Sequence, residues 1–297
     1  MKWLMLLVAV LLLGCQPQSD TAYQPRFGTH READKTEYIV GIHPLHNPQR
    51  LMERYGPILA QINRQMPGVQ LKLEASRNYD EFDKKLYSGH FDFAMPNPYE
   101  TVLSLKHGYR VFGKMADDTD FRGIILVRRD SGIHQVTDLK GKKVAYPAPT
   151  ALAATMMPQF YFQTHGIDVN RDITNLYVGS QESSILNVLR GHVAAGATWP
   201  IPWAAFQLEH PEQAGQLVVQ WQTESLPNVG WVVRHDVPSN LVTQFGLALF
   251  SLQNNKAGQQ MLAKLPISHF EPATDATYQA VRDYLAVFSK TVRVVEQ

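Results

Sequence analysis

From Glu37 onward, apolar residues switch between two spacings. Residues 38–42 form a short apolar run that reads as a buried strand. Leu51, Tyr55, Ile58, Leu59, Ile62 and Met66 then recur at helical spacing. Val69, Leu71 and Leu73 alternate as a strand. Asn78 followed by Glu81 marks a helix start, with Phe82 and Leu86 on its apolar face. Residues 91–95, 124–127, 143–146 and 176–178 read as further strands, and 150–165 and 184–190 as helices. Residues 218–219 and 231–233 continue the strand pattern, and 240–290 is mainly helical. Alternating strands and helices with short connections predict an α/β fold with largely parallel sheets.

Two stretches echo each other. Residues 86–94 end a helix, turn at Gly89 and enter a strand; residues 188–196 do the same around Gly191. Each strand is followed by a proline–aromatic segment, 95–99 and 198–203. Glycine suits the left-handed position after a helix, and proline the first helical turn. Helix–glycine–strand order is common in α/β proteins, and that accounts for the glycines better than for the matching aromatics. The echo points to two similar lobes facing a shared cleft, where ligands bind outside the carboxyl ends of strands.

Candidate ligand-binding residues cluster at helix starts. Thr150 follows a strand and is placed to cap the next helix, leaving the N–H groups of Ala151 and Leu152 facing outward with partial positive charge. Ser180 and Gln181 stand at the next helix start, and Asn97 precedes Pro98 at another. Ordinary capping is the simpler explanation of each alone, but three such starts converging on one ligand would hold an oxyanion without lysine. His43 and His46 follow the first strand. No carboxylate or further histidine lies close in sequence, so a metal site is not expected, and loop histidines read as hydrogen-bonding groups. Trp199, Trp203 and Trp231 suit either stacking on a ligand or core packing. Met156 and Met157 read as core.

Composition narrows the function. The 28 basic and 27 acidic residues leave a net charge of +1, and no basic run tracks a nucleic-acid backbone. The chain has one cysteine, Cys15, so disulfides, cysteine–zinc sites and thiol catalysis are not expected downstream of it. Nucleophile elbows, zinc-protease helices and phosphate-binding glycine loops are missing, which argues against an enzyme. No cofactor is expected.

The N-terminus carries an address. Lys2 precedes an apolar run at 3–13 that is too short to span a bilayer of about 20 residues. The run ends in Leu12-Leu13-Gly14-Cys15, which resembles a bacterial lipobox. That resemblance implies a signal peptide over 1–14, cleavage before Cys15, and lipid attached at Cys15. The polar segment 15–36 then reads as a flexible tether, and the domain as periplasmic. Gln16, in place of a retaining aspartate, favours the outer membrane in a Gram-negative cell.

Downstream, the chain resembles the phosphate/phosphite/phosphonate-binding lipoproteins of ABC transporters. The most specific stretch is 121–133, continuing through Asp138-Leu139-Lys140-Gly141-Lys142 to 145, together with Phe91-Asp92-Phe93-Ala94. The resemblance implies a type II periplasmic binding protein with two α/β lobes hinged around a cleft. Lobe 1 would be discontinuous, 37–121 and 221–297, with lobe 2 at 122–220. Tyr99, Phe121, Trp199, Trp203 and Trp231 would shape the pocket beside His43 and the helix starts. The phosphonate binders carry Ser-Thr-Ser-Gly where this chain has Pro149-Thr150-Ala151-Leu152. They often carry histidine at Gln181, and tyrosine at Phe121. The implied partners are a small ligand of the phosphonate, phosphite or phosphate type and an ABC permease. The alternative is a sensor kinase served by a non-phosphonate ligand. Some relatives capture arsenite through cysteine, and downstream of the lipid-bearing Cys15 this chain offers none.

Overall fold

The computed structural model describes residues 35–296. Cys15, the signal peptide and the tether up to residue 34 lie outside the described residues. Strand β1 (Thr36–Ile42) is followed by helix α1 (Pro48–Asn63), which Asn47 caps by accepting from the Arg50 N–H. Leu51, Tyr55, Ile58, Leu59 and Ile62 form the buried face of α1, as their spacing predicts. Strand β2 (Val69–Ala75), α2 (Tyr79–Tyr87), β3 (Phe93–Met95), α3 (Pro98–Ser104) and β4 (Tyr109–Met115) complete the first pass.

The chain then builds a second sheet. Its strands are β5 (Arg122–Arg128), β6 (Lys143–Tyr146), β7 (Thr174–Tyr177), β8 (Ala195–Thr198) and β9 (Leu217–Ser225). Helix α4 (Met157–Thr164) lies between β6 and β7, and α5 (Gln181–Leu189) between β7 and β8. Helices α6 (Pro200–Glu209) and α7 (Pro211–Ala214) precede β9. The chain returns to the first sheet through β10 (Gly230–Arg234) and β11 (Phe270–Pro272). Helices α8 (Ser239–Phe250) and α9 (Lys256–Lys264) separate these strands, and α10 (Gln279–Thr291) closes the fold.

Strand order is β11-β4-β10-β3-β1-β2 in the first sheet and β7-β6-β8-β5-β9 in the second. The sheets are mixed, which corrects the expectation of largely parallel sheets. β1 pairs in parallel with β2 and β3, and β6 with β7 and β8. β10 and β5, by contrast, run antiparallel to both their neighbours. The reason is topological: β5 enters the second sheet from the crossing and β9 leaves it, so the two run in opposite directions and pair directly. Strand β9 continues through 220/221 to Ser225, paired with β5.

Gly89 and Gly191 have φ of 74° and 70°, the left-handed conformation their matching positions call for. Alanine there would be strained by roughly 1–2 kcal/mol. Gly191→Ala is therefore expected to lower the melting temperature by a few degrees; an unchanged melt would show that this turn relaxes freely.

The two crossings between sheets, after β4 and after β9, are tied at Asn228. Its Nδ2 donates to Ala116 O at 2.7 Å and Asp117 O at 3.2 Å. Its backbone N–H donates to Asp118 Oδ1, and the Tyr278 hydroxyl donates to its carbonyl at 2.6 Å. Lys114 holds the same Asp118 carboxylate at 2.7 Å. Both strand connections are thus clamped by one buried amide.

Candidate functional site

The carboxyl ends of β1, β3, β6, β7 and β8 supply the loops that meet between the sheets. At the end of β1, His43 is buried and its Nδ1 donates to Met95 O at 2.9 Å. Burial pushes its pKa down to about 4, so the imidazole is neutral. Its ring neighbours Tyr79 and Phe82.

At the end of β3, Asn97 forms a capping box: its Oδ1 accepts from the Tyr99 and Glu100 N–H groups, and Glu100 Oε2 accepts from the Asn97 N–H. The first-turn donors of α3 are thereby consumed by the chain itself. The remaining amide hydrogens of Asn97 reach across the lobes, with Nδ2 donating to Thr150 O at 3.1 Å.

The helix start after β6 differs from expectation. Thr150 does not cap it. The chain makes one π-helical turn, Leu152–Met156, preceded by Ala151 with no side-chain cap. The Ala151 N–H donates to Ala148 O, and Thr155, not Thr150, supplies the nearby hydroxyl bond, to Ala148 O at 2.7 Å. Pro158 has no N–H to continue an ordinary α-ladder back to Ala154, which favours the wider turn here. Gly123 lies beneath, where a Cβ would stand 2.5 Å from Ala153 O. The outcome for Ala151 and Leu152 is split: the first amide is used internally. Among the described residues, the N–H groups of Leu152, Ala153 and Ala154 have no partner.

The start of α5 matches expectation more closely. The Ser180 hydroxyl accepts from Ser183 N–H, and among the described residues the Gln181 and Glu182 N–H groups are unpaired. The Gln181 side chain is buried and bridges the lobes. Its Nε2 donates to Tyr79 Oη at 3.2 Å, while Thr198 donates to its Oε1 at 2.9 Å. Tyr79 is the residue sequence reasoning missed. It stands at the first position of α2, straight after the Asn78 cap, so the same strand-end rule applied to β2 would have found it. Its ring packs against Ala148, Ala151 and Ala154 of the second lobe. Burial and the Glu100 carboxyl hold its hydroxyl protonated, well above the usual phenol range.

The aromatic residues divide. Phe121 and Trp199 meet edge to face at 5.5 Å beside the crossing. Trp231 lies in the first core among Phe112, Phe245 and Phe270, and Trp203 stacks on Phe206 in the second. These two tryptophans are not brought to the cleft, because β10 and α6 turn those positions toward their own sheets. Tyr99 is buried on α3, its hydroxyl pushed up to about 12 by burial and by the Glu296 and Asp83 charges.

Beneath the Asn97–Thr150 contact lies a carboxyl pair that the sequence did not signal, Glu100 buried and Asp83 half-buried. Glu100 is fully buried; Asn97 N–H reaches Oε2, and the carboxyl also hydrogen-bonds the Asp83 carboxyl. Burial and the adjacent Asp83 push its pKa well above the usual range, and burial pushes Asp83 up to about 6. Thr150, from the second lobe, lies against Asp83.

Further bonds hold the lobes together. Glu209 of α6 pairs with Arg50 at 2.5 Å and Arg54 at 3.4 Å, both on α1. After α10, Arg293 donates to Pro149 O and Gln159 Oε1. Among the described residues no group of three His, Cys, Asp or Glu side chains is placed to hold a metal. Nor is any helix there long and apolar enough to cross a membrane.

A protein family described as the periplasmic substrate-binding protein of the phosphonate ABC transporter matches residues 40–278. Among solved structures, a binding-protein component of an ABC phosphonate transporter from Pseudomonas aeruginosa superposes with a TM-score of 0.80. The two share 19% identity over 87% of this chain and 88% of that one. PhnD1 from Prochlorococcus marinus, solved with methylphosphonate, gives 0.79 at 17% identity over 86% and 99%. The alkanesulfonate-binding protein SsuA from Xanthomonas axonopodis pv. citri, solved with MOPS, gives 0.61 at 16% identity over 89% and 96%. These structural likenesses establish a shared fold.

Proposed function

Because the chain belongs to the family of periplasmic substrate-binding proteins of phosphonate ABC transporters, we propose that its interlobe cleft captures a small oxyanion of the phosphonate, phosphite or phosphate type and presents it to a membrane permease. The family serves transport rather than catalysis. The observation that carries the reading is the pair of helix starts with unpaired amides, Leu152–Ala154 and Gln181–Glu182, at the carboxyl ends of parallel strands. Together they offer up to five N–H donors and helix-terminal positive potential without a lysine or arginine. Gln181 would add a side-chain donor through its second Nε2 hydrogen, and Phe121 and Trp199 would form a rear wall.

The alanines at 148, 151 and 154 facing Tyr79 favour a small alkyl substituent on the ligand over a second polar group. Closing would be hinge motion about the crossings at 116–121 and 226–229, with the solute stabilising the closed population. We further propose that Cys15 carries lipid and tethers the domain to the membrane, on the strength of the Leu-Leu-Gly-Cys sequence alone.

A melting-temperature panel of methylphosphonate, phosphite, phosphate and sulfate tests the ligand class. At about 100 times its dissociation constant a ligand adds roughly 2.7 kcal/mol, an expected rise of several degrees. Gln181→Ala is expected to weaken the responding compound about tenfold, the loss of one or two hydrogen bonds. If no phosphorus oxyanion shifts the melt, the proposed ligand class is wrong; if Gln181→Ala binds unchanged, the Gln181 side chain does not contact the ligand.

A further inference from the structure

Two acids meet where the second lobe covers the first. Asp83 stands on α2 and Glu100 in the first turn of α3, and their carboxyls hydrogen-bond each other. Ionised carboxylates only accept, so this bond requires a proton on one of the two. The cover is the segment that follows β6. Thr150 lies against Asp83, and Asn97 Nδ2 donates to Thr150 O at 3.1 Å. Ala148, Ala151 and Ala154 pack on the Tyr79 ring, one helical turn before Asp83.

The surroundings leave the pair without a counter-charge. Tyr79, Asp80 and Tyr87 face it from α2, and Tyr99 from α3. The tail after α10 brings Arg293 and Glu296 to Tyr99. Arg293 is engaged by Pro149 O and Gln159 Oε1, and among the described residues no cation pairs with either carboxyl. Two adjacent negative charges here would repel in a low dielectric, and a single proton removes the repulsion. Asp83 is only half-buried, and the second lobe supplies part of its cover. Lifting Thr150 away admits water and returns the carboxyl toward its ordinary value of 3.8, whereas under the cover it titrates at about 6.

We propose that the Asp83–Glu100 pair is a proton-operated latch between the lobes, holding one shared proton when they are closed and releasing it as they open. Closure then takes up a proton. The latch contributes fully below the open-form value, and its contribution is lost as pH rises through about 6. His46, buried between α1 and α5 and held neutral chiefly by burial, slopes the other way, because opening lets it charge. The inference rests on the lobes opening and closing as proposed above but not on the identity of the transported solute.

The test uses the full chain and no solute. Small-angle scattering compares wild type with Asp83→Asn, which keeps His46 and cannot ionise at position 83. At about pH 7.5 the variant should have the smaller radius of gyration, and at about pH 5 the two should coincide. Carbon-13 titration of the side-chain carboxyls should show a group ionising near pH 6 in wild type that the variant lacks. Equal radii at the higher pH would overturn the proposal, as would a difference of the same size at both, or an Asp83 that ionises near its ordinary value. Methylphosphonate, if it binds, should lose about tenfold more affinity for wild type than for the variant between the two pH values. Its own titration is common to both proteins and cancels. Failure of the phosphonate panel beside a positive scattering result would count against the solute assignment alone.

Discussion

Replacing Asp83 with asparagine is expected to stabilise the protein by roughly 1–3 kcal/mol at pH 7 and by almost nothing near pH 4. In the native structure the Asp83 carboxyl titrates at about 6, against an ordinary value of 3.8. Burial beside Glu100 disfavours the ionised form. The sign follows directly. Below the unfolded value both states are protonated and the native contact is intact. As pH rises through about 6, the unfolded chain has already released its proton, the native one does so at a cost, and this contribution is lost.

Asparagine keeps the shape and never ionises, so the variant avoids that loss. His43 slopes the other way: its native pKa of about 4 lies below its ordinary 6.5, so its contribution is gained as pH rises from about 4 to 6.5. The two slopes offset each other in the wild-type protein, and Asp83→Asn should expose the histidine's. Thermal melts of both proteins at half-unit steps between about pH 4 and pH 8 provide the check. Parallel curves would mean that the Asp83–Glu100 contact does not store a proton.

The second large effect is expected at the crossings. Asn228→Ala removes the amide that satisfies the Ala116 carbonyl and the Val229 N–H, while the Asp117 carbonyl keeps the Asp120 N–H. Asn228 is fully buried, so little water replaces the lost partners. A cost of about 1–3 kcal/mol for each orphaned group gives a loss of about 3 kcal/mol or more, a drop in melting temperature of roughly 6–12 °C for a domain of this size. Tyr278→Phe, which deletes only the bond to the Asn228 carbonyl, should lose about a third of that. A melt of Asn228→Ala within a degree or two of wild type would show that the clamp is dispensable and that the crossings are held by packing alone.

The order of strands and helices was readable from one chain because it reflects contacts made over a few residues. The buried stripe of α1, the Asn97 and Ser180 caps, and the left-handed turns at Gly89 and Gly191 arise from bonds spanning four positions or fewer. Strand ends followed by helix starts likewise announced where a cleft would form. The lipid attachment at Cys15 is a sequence-borne expectation, and it stays one.

Other features were decided by tertiary structure alone. The Gln181–Tyr79 bond joins residues 102 apart, and the Asn97–Thr150 bond residues 53 apart; no local pattern encodes either. Thr150 reads as a cap until Pro158 and the close passage of Gly123 impose a π turn that starts after it. Trp203 and Trp231 look no different from Trp199 in sequence, yet helix packing buries the first and strand pairing the second in a core. Asp83 and Glu100 look like ordinary helix-surface carboxyls in sequence. Packing α2 against α3 buries them side by side, and only the low dielectric of that contact gives them shifted titrations. Local hydrogen bonding writes elements into the chain, whereas desolvation and cross-lobe pairing exist only once those elements have docked.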